Sequence, residues 1–170
     1  MKSYENINKN AERIASAIHR SISNDKLPIF SLIKWMEENF SIKIKINHIN
    51  SNNFKSSGLV YYEKEGIYRI WINKKENEYR KNFTLCHELG HIIRSMSLKF
   101  GFSTGDIYSD WGIERFCNRF AAAFLMPADL FIYKWTTIKE SHYLKKARLV
   151  RFFKVSADAV DVRVKELKLI

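Results

Sequence analysis

Phe83-Thr84-Leu85-Cys86-His87-Glu88-Leu89-Gly90-His91 is the stretch on which the fold turns. Its apolar spacing continues through Ile92 and Ile93 and predicts a buried helix over Glu76 to Met96. Positions four apart on a helix lie about 40° apart around the axis, so His87 and His91 project from one face. Two neutral imidazoles so placed can share one Zn²⁺ at roughly 2.0–2.1 Å. Glu88 stands beside that face, positioned to take a proton from water rather than to bind metal. Buried His and Glu need partners, which argues against an idle surface cluster. Gly90 sits mid-helix, where it costs about 1 kcal/mol relative to Ala. Its presence points to close approach of another backbone or of a substrate.

A catalytic zinc site takes three protein ligands and leaves one position open. Downstream, Gly101 to Gly112 reads as a loop. Glu114 to Pro127 then reads as a second helix, opened by Glu114 and stopped by Met126-Pro127. Phe116, Phe120, Ala123 and Phe124 keep the helical period. Glu114 is the leading third ligand, because a rigid helix holds a ligand better than a loop does. Asp106 and Asp110 are rivals, and a helix-dipole role is the plainer reading of Glu114. Asn118, one turn on, is placed to hydrogen-bond a liganding histidine. His142 and Tyr108 are weak candidates for stabilising an oxyanion.

These two runs, with Phe120-Ala121-Ala122 and Leu125-Met126-Pro127 in the second, resemble the ImmA/IrrE family of metallopeptidases. The family pattern is R-F-T-L-A-H-E-L-G-H followed by E-x-x-A-N-x-F-A-A-x-L-L-M-P. Leu27-Pro28-Ile29, Ile70-Trp71-Ile72-Asn73, Phe153 to Ser156 and Arg163 to Leu167 extend the likeness over most of the chain. The resemblance implies a gluzincin-like site, with His87, His91 and Glu114 on zinc and Glu88 as general base. It implies a protein substrate, often a helix-turn-helix repressor of a mobile element or stress circuit. Both motif alanines are cysteine here, Cys86 and Cys117. They read as small buried side chains, with a redox switch as the sharper alternative.

The 170 residues suit one compact domain, and 46% apolar residues suffice for a core. Met1 to Asn10 is polar, no apolar run approaches membrane length, and two cysteines fit a reducing compartment. A cytoplasmic location without membrane contact is the expectation. The net charge is +11, and residues 141–170 hold 8 Lys and Arg against 3 Asp and Glu. That balance permits a nucleic-acid partner, but a solvated Lys-rich surface is favoured.

The expected fold is α+β: a zincin-like small sheet packed on active-site helices, then C-terminal helices. Ala11–Ile22 and Ile29–Phe40 read as helices. Ile42–Ile49, Gly58–Tyr62 and Ile67–Ile72 read as strands, with a hairpin turn at Lys64-Glu65-Gly66. Ile67–Ile72 is the expected edge strand, free to pair with an extended substrate. Residues 1–140 form the expected metallopeptidase domain, and 141–170 a basic helical subdomain packed on it. In that tail, Val155-Ser156 separates two helices with Ser156 as N-cap, a spacing that resembles a helix-turn-helix. Arg163, Lys165 and Lys168 are its candidate phosphate contacts. Two functions follow: a zinc endopeptidase of a regulatory protein, or a DNA- or partner-binding regulator whose zinc site is structural or vestigial.

Overall fold

The computed structural model describes residues 2–22, 28–50, 52–96 and 109–170. Among them the architecture is α+β, with seven helices and one three-stranded sheet. Helix α1 (Lys2–Ser21) buries Ile7, Ala11, Ile14, Ala15 and Ile18, a single stripe at three- and four-residue intervals. Helix α2 (Pro28–Phe40) begins on proline, whose missing N–H costs nothing at a first helical position. It buries Ile29, Leu32, Met36 and Phe40.

Strands β1 (Lys43–Ile49), β2 (Gly58–Lys64) and β3 (Ile67–Asn73) stand in the order β1-β3-β2. Strands β2 and β3 form a hairpin across Glu65-Gly66, both at positive φ (45° and 77°), the two-residue turn that matches strand twist. Strand β1 runs parallel to β3, pairing Lys43 with Ile67 through Ile49 with Asn73. The expected edge strand is therefore the central one. Ile70 and Ile72 are buried between two neighbours, and the edges are β1 and β2.

Helix α3 (Glu78–Met96) packs on β2 and β3, and helix α4 (Asp110–Leu125) packs on α3 and on α1. Asn77 caps α3, its side-chain oxygen accepting from the Arg80 N–H at 2.9 Å. Ser109 caps α4 in the same way through Gly112. The second site helix thus starts a turn earlier than expected. Asp110 to Gly112 are helical, and Glu114 lies inside the helix rather than at its mouth. Serine capping outweighs the loop preference of Gly112. The expected loop residues 101–108, with Asp106 and Tyr108, lie outside the described residues, as does Leu27.

Helices α5 (Ala128–Thr137), α6 (His142–Phe153) and α7 (Ala157–Glu166) complete the chain. Ser156 caps α7 as expected, accepting from Ala159 at 3.2 Å. Arg163 is fully buried and not a phosphate contact. Its Nε donates to the Met126 carbonyl at 3.0 Å, and its two terminal nitrogens donate to Glu12 at 2.9 and 2.6 Å. The tail is thereby tied to α1 and to the end of α4. Lys165 and Lys168 remain exposed. No described helix is long and apolar enough to cross a membrane.

Candidate metal centre and its surrounding cleft

Helices α3 and α4 pack closely because Gly90 lets them. A Cβ at Gly90 would lie 3.2 Å from the Cys117 Cα and 3.4 Å from the Phe120 ring. The close approach expected from a mid-helix glycine is the backbone of α4. Cys86 and Cys117 line this seam as free, buried thiols, and burial raises both above the usual thiol range. A protonated, enclosed thiol behaves as a small apolar group.

On the open side of the seam the structure brings His87, His91 and Glu114 together. The His87 and His91 Nε2 atoms are 3.2 Å apart. Each lies 3.3 Å from one oxygen of the Glu114 carboxylate. The ligand atoms of a tetrahedral zinc site, with bonds near 2.0–2.1 Å, stand roughly 3.3–3.4 Å apart. Among the described residues this is a group able to hold a metal, and neither Asp110 nor either cysteine belongs to it.

Protonation supports the same fit. Burial lowers the pKa of both histidines, against the opposing pull of Glu114, so the rings are neutral near pH 7. The Asn118 side-chain oxygen sits 3.0 Å from His87 Nδ1. It accepts the ring proton there, which leaves the Nε2 lone pair facing the carboxylate. Two acceptors at 3.3 Å repel unless a proton or a cation lies between them. The donor set is suited to zinc.

Glu88 is buried at the wall between α3 and β2. Burial, then the nearby Glu114 charge, raises its pKa to about 7, while the backbone N–H of Val60 donates to it and opposes the rise. A carboxyl poised there is suited to moving protons at neutral pH. Gly58 makes room for it: a Cβ on Gly58 would lie 2.5 Å from the Thr84 methyl and 2.8 Å from Glu88 Oε1. Ser56, Ser57, Gly58, Thr84, His87 and Glu88 line a cleft of about 320 Å³. No motif marks Gly58 or Val60 in the sequence. Only the pairing of β2 with β3 brings them to Glu88. His142 packs edge-on against Trp135 and is absent from this cleft.

Two histidines and a carboxylate on a helix pair beside a small sheet define the class of metal-dependent peptidase domains. Residues 40–165 match Peptidase_M78, the IrrE N-terminal-like domain, and the chain belongs to that family. No curated protein matches the chain. Among solved structures, a Mycobacterium tuberculosis transcriptional regulator is similar in fold, with a TM-score of 0.62 and 16% identity. The match covers 93% of this chain and 50% of that one, so the chain spans half of that regulator's length.

Proposed function

We propose that this chain is a zinc-dependent endopeptidase that cleaves a regulatory protein, in the first place a helix-turn-helix repressor. The observation that carries the reading is the triad of His87, His91 and Glu114 at 3.2–3.3 Å, with buried Glu88 beside it. His87, His91 and Glu114 would hold the ion, and Asn118 would fix the orientation of His87. Zinc there supplies Lewis acidity toward a peptide carbonyl and a nearby water.

The chain's own groups do the rest. Glu88 takes a proton from the attacking water as its oxygen bonds to the carbonyl carbon. It then gives that proton to the leaving nitrogen as the C–N bond breaks. The substrate backbone lies along β2. Asn73 N–H donates to the Ser57 carbonyl, so by alternation Gly58, Val60 and Tyr62 turn their backbone groups to the outer edge. There a substrate strand would replace the bonds of the Val60 N–H to Glu88 and of Ser56 Oγ to the Gly58 carbonyl. Membership of a peptidase family supports a protein substrate, and the neighbour of similar fold is itself named a transcriptional regulator.

The test is incubation of the zinc-loaded protein with repressors encoded beside its gene. Cleavage at a single site, giving two fragments, is expected. Zinc-loaded Glu88→Gln should cleave at least ~10²-fold more slowly, the scale of a lost general base. Near-normal cleavage by that variant would overturn the mechanism.

A further inference from the structure

A second cavity, of about 460 Å³, adjoins the metal cleft. The two share Arg80, Phe83 and Asn118, and the larger one also reaches Glu114. Its far wall is not part of the α3–α4 pair. It is α7, through Ala159 and Val162, facing Phe83, Trp111 and Ala122. Val162 and Trp111 are each 51% exposed, so apolar surface lies open on both sides of the mouth. Among the charged groups of the lining, Arg115 donates to Asn8 at 3.0 Å and lies over the Trp111 ring, and Arg80 faces Glu76 at 3.8 Å. Arg119 bonds Glu12 and Glu166, and Arg163 holds α7 in place from behind.

We infer that this cavity is the side-chain subsite of the peptidase, formed by α4 and α7 and selecting one bulky apolar residue, Leu or Phe, on one side of the scissile bond. The inference rests on the endopeptidase reading and adds to it the substrate's side-chain chemistry. Three observations converge. The cavity shares Arg80, Phe83 and Asn118 with the cleft that holds Glu88. Most of its lining surface is apolar, from Phe83, Trp111, Ala122, Ala159 and Val162, although Arg80, Arg115 and Asp158 also border it. Such a surface favours a residue that sheds water on entry. It touches the carboxylate and amide, Glu114 and Asn118, that flank the metal position. An extended chain laid along β2 and crossing the triad therefore meets it next. The C-terminal helix becomes a substrate wall rather than an appendage.

The experiment uses capped hexapeptides that differ at one central position (Leu, Phe, Ala or Asp). Binding is followed by NMR on the zinc-loaded Glu88→Gln protein, and cleavage on the native protein. The Leu and Phe peptides should shift the Ala159 and Val162 methyls and bind about tenfold tighter than the Ala peptide. Val162→Asp should abolish that preference. Val162 is half-exposed, so the variant should melt like the parent, and Trp111→Ala serves as a second probe if it does not. Equal binding of all four peptides, no binding, or a preference that survives both variants overturns the subsite. A Leu preference without any cleavage by native protein keeps the subsite and overturns the peptidase reading. Indiscriminate cleavage does the reverse.

Discussion

Helix α4 carries two ionic clusters that differ in one respect. Glu114 and Asn118 meet His87 and His91, while one residue on Arg119 meets Glu12, Glu166 and, through them, Arg163. In the second cluster two cations face two carboxylates. The fully buried Arg163 is further satisfied by the Met126 carbonyl. In the first, two neutral rings and a carboxylate converge as acceptors at 3.2–3.3 Å. A closed cluster of that kind ties helices together, and a cluster of acceptors is suited to receiving a cation. The same helix thus serves the fold along one stripe and chemistry along the next.

The sharpest way to break this contrast is to remove one member of each cluster. His87→Ala should lose stoichiometric zinc, measured by metal analysis of purified protein, with little change in the melting temperature of the metal-free form. Glu12→Ala should keep its zinc but lose about 3 kcal/mol of stability, since the buried Arg163 would then keep the Met126 carbonyl and, as its carboxylate, only Glu166 at 3.5 Å. Zinc retained by His87→Ala would remove the metal assignment. Unchanged denaturant unfolding in Glu12→Ala would mean that the closed cluster is idle.

A smaller effect separates the support of the acceptor cluster from its members. Asn118→Ala removes the acceptor that holds the His87 Nδ1 proton. Zinc affinity should fall about 10–100-fold, as for lost hydrogen-bond support of a metal ligand. An unchanged affinity in a chelator competition would mean that packing alone orients His87.

Acid should distinguish the clusters too. Burial opposes ionisation of Glu12, but the hydrogen bonds and charges of Arg163 and Arg119 outweigh it and hold its pKa below the ordinary 4.5. A carboxyl depressed in the folded state contributes stability above its unfolded pKa and loses it as pH falls through the folded value. Native protein should therefore lose stability below about pH 4.5, and Glu12→Ala should lose less over the same interval. Parallel acid curves for the two would contradict the ion-pair account.

What the sequence revealed follows from range. His87, Glu88, His91, Glu114 and Asn118 lie on two helices whose faces are set by local periodicity, and that the two faces meet was an expectation from the family resemblance and from the need for a third ligand. The Ser156 cap and the Glu65-Gly66 turn are local as well. Strand order is not local. Nothing within Ile67–Asn73 distinguishes an edge from a centre, and β1 reaches it by a parallel crossover. Arg163 looked like a surface cation because its partner Glu12 lies 151 positions away. Gly58 was invisible for the same reason, since its significance is the side chain of α3 packed against it.

That glycine gives the finest test. Gly58→Ala alone should disturb both Thr84 and Glu88, because its methyl would sit 2.5 Å from one and 2.8 Å from the other. Adding Thr84→Ser removes the methyl that clashes with the new Cβ and leaves the carboxylate contact. If Gly58 merely relieves packing, the double variant regains both stability and cleavage rate. If Gly58 positions Glu88, the melting temperature recovers while kcat stays roughly tenfold down and KM is little changed, the mark of an interaction made in the transition state. A readout without turnover exists in the Val60 N–H, which donates to Glu88 in the native protein. Displacing the carboxylate should expose that amide, so its hydrogen exchange should quicken in the double variant relative to Thr84→Ser. Native exchange at Val60 together with a recovered kcat would reduce Gly58 to a spacer between α3 and β2.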